Sequence, residues 1–148
     1  MEFKELISDF STRHGVEGLD VEDNKVIFNV DDIPIYIAAD VDEIVMISEI
    51  GEPPQEGKAE FADLLLAANF TENTIVYAKS QDTGKYVLMQ RLPLARLDGA
   101  AFDEALESLV NQAENWRKIL AAFRPAAEAA VSAKNEASSI NMTGFLRV

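Results

Sequence analysis

A chain of 148 residues with 26 acidic and 13 basic side chains carries a formal charge of −13, and such a surface repels nucleic acid and anionic membranes. A hydrophobic content of 48% excludes disorder throughout, and the lack of cysteine excludes disulfides, thiolate metal sites and thiol nucleophiles. No apolar run approaches the ~20 residues that span a bilayer, and the acidic start "MEFKELISDF" lacks the basic-then-apolar pattern of a signal peptide; a cytoplasmic, single-domain protein is expected.

Along the chain, Phe3, Leu6, Ile7 and Phe10 fall at the i, i+3, i+4, i+7 spacing of one helical face, and Gly15 and Gly18 end that helix. It is too short to be stable alone, so its apolar stripe must dock on something. Three strand patterns follow: "KVIFNV", then "IPIYIAAD" after an Asp31-Asp32 turn, then "EIVMISEI" after a turn at Asp40–Asp42. In the second, Ile33, Ile35 and Ile37 alternate with Pro34, Tyr36 and Ala38, the period of a sheet. Pro34 lacks a donor and belongs at a strand start or a sheet edge.

"GEPPQEGKAE" breaks this meander. A helix from Lys58 to Ala68 carries Phe61, Leu64, Leu65 and Ala68 on one face, with Ala62 and Leu66 beside them. That arc is wider than a surface helix needs, and predicts a cover beyond the helix's own sheet. "TIVYAKS" and "KYVLMQRL", joined through Gln81–Gly84, read as a hairpin. "RLPLARL" then holds three leucines in what should be a linker; they are expected to pack in the core, with Arg91 and Arg96 facing solvent and Pro93 keeping the segment extended. Asp98 is an N-cap for a long final helix whose seam runs Phe102, Leu106, Leu109, Ala113, Trp116 and Leu120. Arg124-Pro125 ends or kinks it. The fold class is α+β in the order α-β-β-β-α-β-β-α, an antiparallel twisted sheet packed against helices; residues 1–123 form the domain and 124–148 an extension, partly helical and then frayed.

No catalytic constellation appears. His14, the sole histidine, ends a helix, where a cation suits the macrodipole. Asp20, Glu22, Asn24 and Asp31 trace part of a calcium-loop spacing, but the place that needs glycine is Lys25 and no helix flanks the loop. Asp40, Asp42 and Glu43 are ordinary turn formers. No phosphate-cradling glycine pattern occurs. The sequence therefore predicts no metal, no cofactor and no enzyme, although scattered acids converging in a deep polar pocket would reopen catalysis.

"QRLPLARLDGAAFDEALESLVNQAENW" following the hairpin, with "LLLAANF" in the second helix and Asp31-Asp32 leading into "IPIYI", resembles the class I type III secretion chaperones, the Tir chaperone (CesT) family. The likeness runs from Phe3 to Leu120. It implies an acidic homodimer, non-catalytic, that binds the N-terminal segment of a secreted effector and keeps it export-competent. On that resemblance Phe61, Leu64, Leu65 and Ala68 become dimer-interface candidates, and Phe3, Leu6, Ile7, Phe10, Ile35 and Ile37 effector-binding candidates. Phe3, nearest the free end, is expected on the exposed flank of its helix. A general peptide-binding module of the same fold, unconnected with secretion, is the alternative.

Overall fold

Two pairs of non-glycine residues in the left-handed conformation shape the first half of the fold. Asp23 and Asn24 (φ 50° and 59°) and Asp31 and Asp32 (φ 50° and 67°) are the central residues of two tight turns; Asp and Asn tolerate this region better than other side chains, and paired positive φ values match the twist of a hairpin. A computed structural model, describing residues 2–71 and 74–125, shows what these turns connect. Helix α1 (Phe3–His14) precedes strands β1 (Lys25–Val30), β2 (Ile33–Ala39) and β3 (Glu43–Gly51); helix α2 (Lys58–Thr71) leads to β4 (Ile75–Lys79) and β5 (Tyr86–Pro93), and a 3-10 turn (Leu94–Arg96) leads into α3 (Gly99–Ala122).

The five strands form one antiparallel sheet in the order β1-β2-β3-β5-β4. The expected meander and hairpin are both present, and β5 joins them by pairing with β3. β4 is thereby left at one edge of the sheet, and β1 at the other.

Alternate strand residues, among them Phe28, Ile35, Ile37, Met46 and Leu88, point to the side on which the helices lie and are buried with Phe61, Phe102 and Leu109. Phe61 stacks on Tyr86 at 5.3 Å and meets Trp116 and Phe123 edge-on at 6.1 and 5.2 Å. The linker leucines join this core: Leu97 is buried, Leu92 and Leu94 pack against it, and Arg91 and Arg96 are exposed. Leu94 N–H donates to Asp42 C=O at 2.9 Å, which ties the linker to the start of β3.

Asp98 caps α3 as its side chain accepts from Ala101 N–H at 2.8 Å. Gly57, at φ +79°, sits where a Cβ would lie 2.9 Å from the Phe123 ring, so the entry to α2 and the end of α3 share space that only glycine leaves open. Ser48 is buried and donates to Pro34 C=O at 3.1 Å, whereas the buried Oε1 of Gln90 has no hydrogen-bond partner among the described residues. Among the described residues no helix is long and apolar enough to cross a membrane. The extension expected from residue 124 lies, past residue 125, outside the described residues.

Candidate functional site

The sheet has two edges, and the backbone treats them differently. On β4, Tyr77 N–H donates to Asn69 Oδ1 at 2.7 Å and Asn69 Nδ2 donates to Tyr77 C=O at 2.9 Å. One amide from α2 thus occupies both outward backbone groups of the residue at the middle of that strand. On β1 the pairing alternates. Asn24 C=O accepts from Ala39 N–H at 2.8 Å, and Val30 faces Ile33 across the two-residue turn. The even-numbered residues therefore face β2, and Lys25, Ile27 and Asn29 turn their N–H and C=O groups outward. Lys25 is satisfied by Glu22 in both directions, at 2.9 and 3.0 Å. Ile27 and Asn29 remain, two residues of edge without a backbone partner among the described residues.

Beside that edge runs a groove of about 470 Å³ between α1, β1 and α3. Its floor is apolar, from Phe10, Val16, Phe28, Leu106 and Val110; its rim is polar, from His14, Asn29, Asp31, Asp103, Glu107 and Asn111. Phe10 anchors the floor, with ring centroids 5.6 Å from Phe28 and 5.4 Å from Phe102.

The end of α1 is pinned there by charge. Arg13 binds Asp103 through both terminal nitrogens, one at 3.1 Å, and Asp9 through Nε at 2.7 Å. It also donates to Gly99 C=O at 3.3 Å, and His14 Nε2 lies 3.0 Å from Asp103. A Cβ on Gly99 would stand 2.7 Å from the Asp9 carboxylate and 3.0 Å from the Arg13 guanidinium, so both side-chain ends would have to shift to admit one. The hydrogen bond from Arg13, and secondarily that from His14, holds the Asp103 carboxyl below the ordinary range, against the opposing pull of partial burial. The same pairs, Asp103 first and Asp9 next, raise the Arg13 pKa and keep it charged.

None of the described helices covers the other face of the sheet. Across all five strands, Ile27, Tyr36, Ile47, Met89 and Val76 stand in register. Ile27 is 64% and Val76 51% exposed. On α2, Leu66 and Phe70 stand one turn apart, 66% and 81% exposed.

Most of the candidates read from the sequence lie inside the chain's own core, and Phe3, expected on the exposed flank of its helix, is among them. Phe3, Leu6, Ile7, Phe10, Ile35 and Ile37 are all buried in the core, Phe3 at 5% exposure. The free end of α1 does not lift away, because Glu2 N–H donates to Glu5 at 3.4 Å and Leu6 N–H to Glu2 C=O at 2.9 Å, closing the first turn over the core. In β2 the isoleucines face inward and Tyr36 faces outward. Of the six, Phe10 alone lines the groove. Phe61 and Leu65 are core residues of this same chain, and Leu64 and Ala68 pack partly against it. The outward residues Leu66 and Phe70 had no distinguishing signal, since α2 reads apolar on nearly every side.

A family model, the Tir chaperone protein (CesT) family, matches residues 5–117. The chain belongs to the CesT family. Solved structures repeat its fold. The HopA1–SchA chaperone–effector complex matches at 16% identity and TM-score 0.68, over 78% of this chain and 93% of that one. The Yersinia pestis type III secretion chaperone SycH, solved with a fragment of YscM2, matches at 21% identity and TM-score 0.62, over 78% and 99%. YbjN, a candidate transcription regulator from E. coli, matches at 15% identity and TM-score 0.62, over 80% and 91%. No curated protein matches the sequence.

Proposed function

We propose that this CesT-family chaperone serves type III secretion as a non-catalytic homodimer, holding an N-terminal segment of an effector extended and export-competent. The observation that carries this reading is the open β1 edge at Ile27 and Asn29 beside an apolar groove. An extended chain added there would gain main-chain hydrogen bonds at the edge and alternate side-chain contacts in the groove, the physics of strand addition. Its other side chains would meet the apolar row that begins at Ile27 and Tyr36. SycH and the HopA1–SchA complex support the reading, as related folds solved with bound partners. Leu66 and Phe70 are the surface proposed for the dimer, in place of Phe61 and Leu65. YbjN shares the fold, so a partner outside secretion is the alternative.

The test is co-purification from the native host with mass spectrometry of the partner, then hydrogen exchange on the complex. The amides of Ile27 and Asn29 should exchange quickly in the free protein and be strongly protected with the partner bound. A partner encoded away from any secretion apparatus would favour the alternative. A bound partner that leaves both amides exchanging freely would place the site elsewhere.

A further inference from the structure

We infer that the groove beside β1 selects a particular chemistry within the extended segment it receives: a bulky apolar side chain with a lysine or arginine two positions from it. The inference rests on the reading of this edge as the partner's strand site and adds what the strand must carry. Three acids border the groove, Asp31, Asp103 and Glu107. Asp103 is already committed to Arg13 and His14. Asp31, on the β1–β2 turn, and Glu107, on α3, have no ion pair among the described residues. Arg13, at the end of α1, is held by two carboxylates; Arg117 and Lys118, which share a separate cavity with Asp31, are engaged by the Glu49 carbonyl and by Glu114, and neither lines the groove. Asp31 and Glu107 flank an apolar floor large enough for one substantial side chain.

Strand geometry converts this into a spacing. A segment paired with Ile27 and Asn29 presents every second side chain to the groove. Its anchor would sit over Phe28, against Phe10, Leu106 and Val110. Asp31 follows Phe28 by three residues, about 10 Å of strand. The next side chain on the same face stands ~6.7 Å along, and the stem of a lysine or arginine spans the remainder. An acid at that place would face two unpaired carboxylates on a chain of net charge −13 and be rejected.

The experiment is a selection from a displayed library of random peptides on the full chain, repeated on the double variant Asp31→Asn, Glu107→Gln. Asparagine keeps the turn's left-handed conformation at position 31, and Glu107 is on an exposed helix face, so the variant retains the fold. The wild type should enrich an apolar residue with lysine or arginine two positions away, and the variant should keep the apolar preference while losing the basic one. A synthetic peptide from the wild-type selection should bind the variant about fivefold more weakly, a difference that shrinks with added salt. Apolar enrichment without a basic preference, or a basic preference that survives in the variant, would overturn the inference and leave the strand site standing. No enrichment at all, or peptides bound without protecting Ile27 and Asn29, would remove the strand site and the inference together.

Discussion

Replacing Phe70 with aspartate tests the proposed dimer surface most directly. A phenylalanine side chain presents ~200 Å², and 81% of this one is open to solvent. If a partner copy covered half of that open area, ~80 Å² would leave water, contributing ~2 kcal/mol per protomer at ~25 cal/mol per Å². The two-fold relation doubles it to ~4 kcal/mol, roughly a thousandfold in the dissociation constant, before the cost of facing two carboxylates is added. Phe70→Asp should therefore sediment as a monomer at micromolar concentrations where the wild type is a dimer. Its melting temperature should differ only by the lost association, because the side chain has little packing within its own chain. Leu65→Asp is the control: at 4% exposure it buries a charge in the core and should unfold the protein rather than dissociate it. A dimeric Phe70→Asp would refute the α2 surface and move attention to the row from Ile27 to Val76. A monomeric wild type would refute dimerisation itself.

Phe3→Ser should cost ~3 kcal/mol or more in thermal or urea unfolding, as expected for a buried ring exchanged for a small polar group; retention of wild-type stability would mean that the ring lies outside the core. Gln90→Met should be neutral or stabilise by ~1 kcal/mol, since it removes a buried carbonyl oxygen without a partner at similar volume; a clear loss of stability would reveal a partner for that oxygen. Asp103→Asn should destabilise at about pH 5, and the gap to wild type should close as pH falls below ~4. The sign follows from the depressed folded-state value: the contribution is present above the unfolded carboxyl's ~3.9 and is lost as pH falls through the lower folded pKa. A gap independent of pH would mean that Asp103 acts through its shape alone.

How far the sequence could be read depended on whether a residue's role was local. Asp31-Asp32 announces a tight turn by itself, Asp98 a helix start, and the isoleucines of "IPIYI" a strand with two unlike faces, and all three appear in the structure. The linker leucines were legible for the same reason, since three apolar residues around a proline have few destinations other than a core. Which face of an element meets a partner is a tertiary matter. In β2 the period of two separates Ile35 and Ile37 from Tyr36, yet it does not say which set the helices will cover. In α2 there is hardly a polar side to exclude, so Phe61 and Leu65 could be exchanged on paper with Leu66 and Phe70. The groove was less legible still: Phe10, Phe28, Leu106 and Val110 come from three elements spread over a hundred residues, and Asp31 and Glu107 border one groove only because the order β1-β2-β3-β5-β4 leaves β1 at an edge.

That edge also shows why the site falls where it does. Every open sheet must deal with two rows of outward backbone groups, and an untreated row invites strand pairing with any available chain. Here the middle of β4 is occupied by the amide of Asn69 on Tyr77, and α2 packs alongside the strand. At β1, the backbone of Glu22 closes Lys25, which leaves a window of Ile27 and Asn29. So short a window could hold an incoming strand only weakly through its main chain, because each hydrogen bond exchanged for one to water nets ~1 kcal/mol. Retention must then come from side chains, which the floor of Phe10, Phe28, Leu106 and Val110 can grip and the acids at its rim can sort. Restricting the open edge to two residues makes capture depend on what the segment carries, whereas a long open edge would accept almost any extended chain.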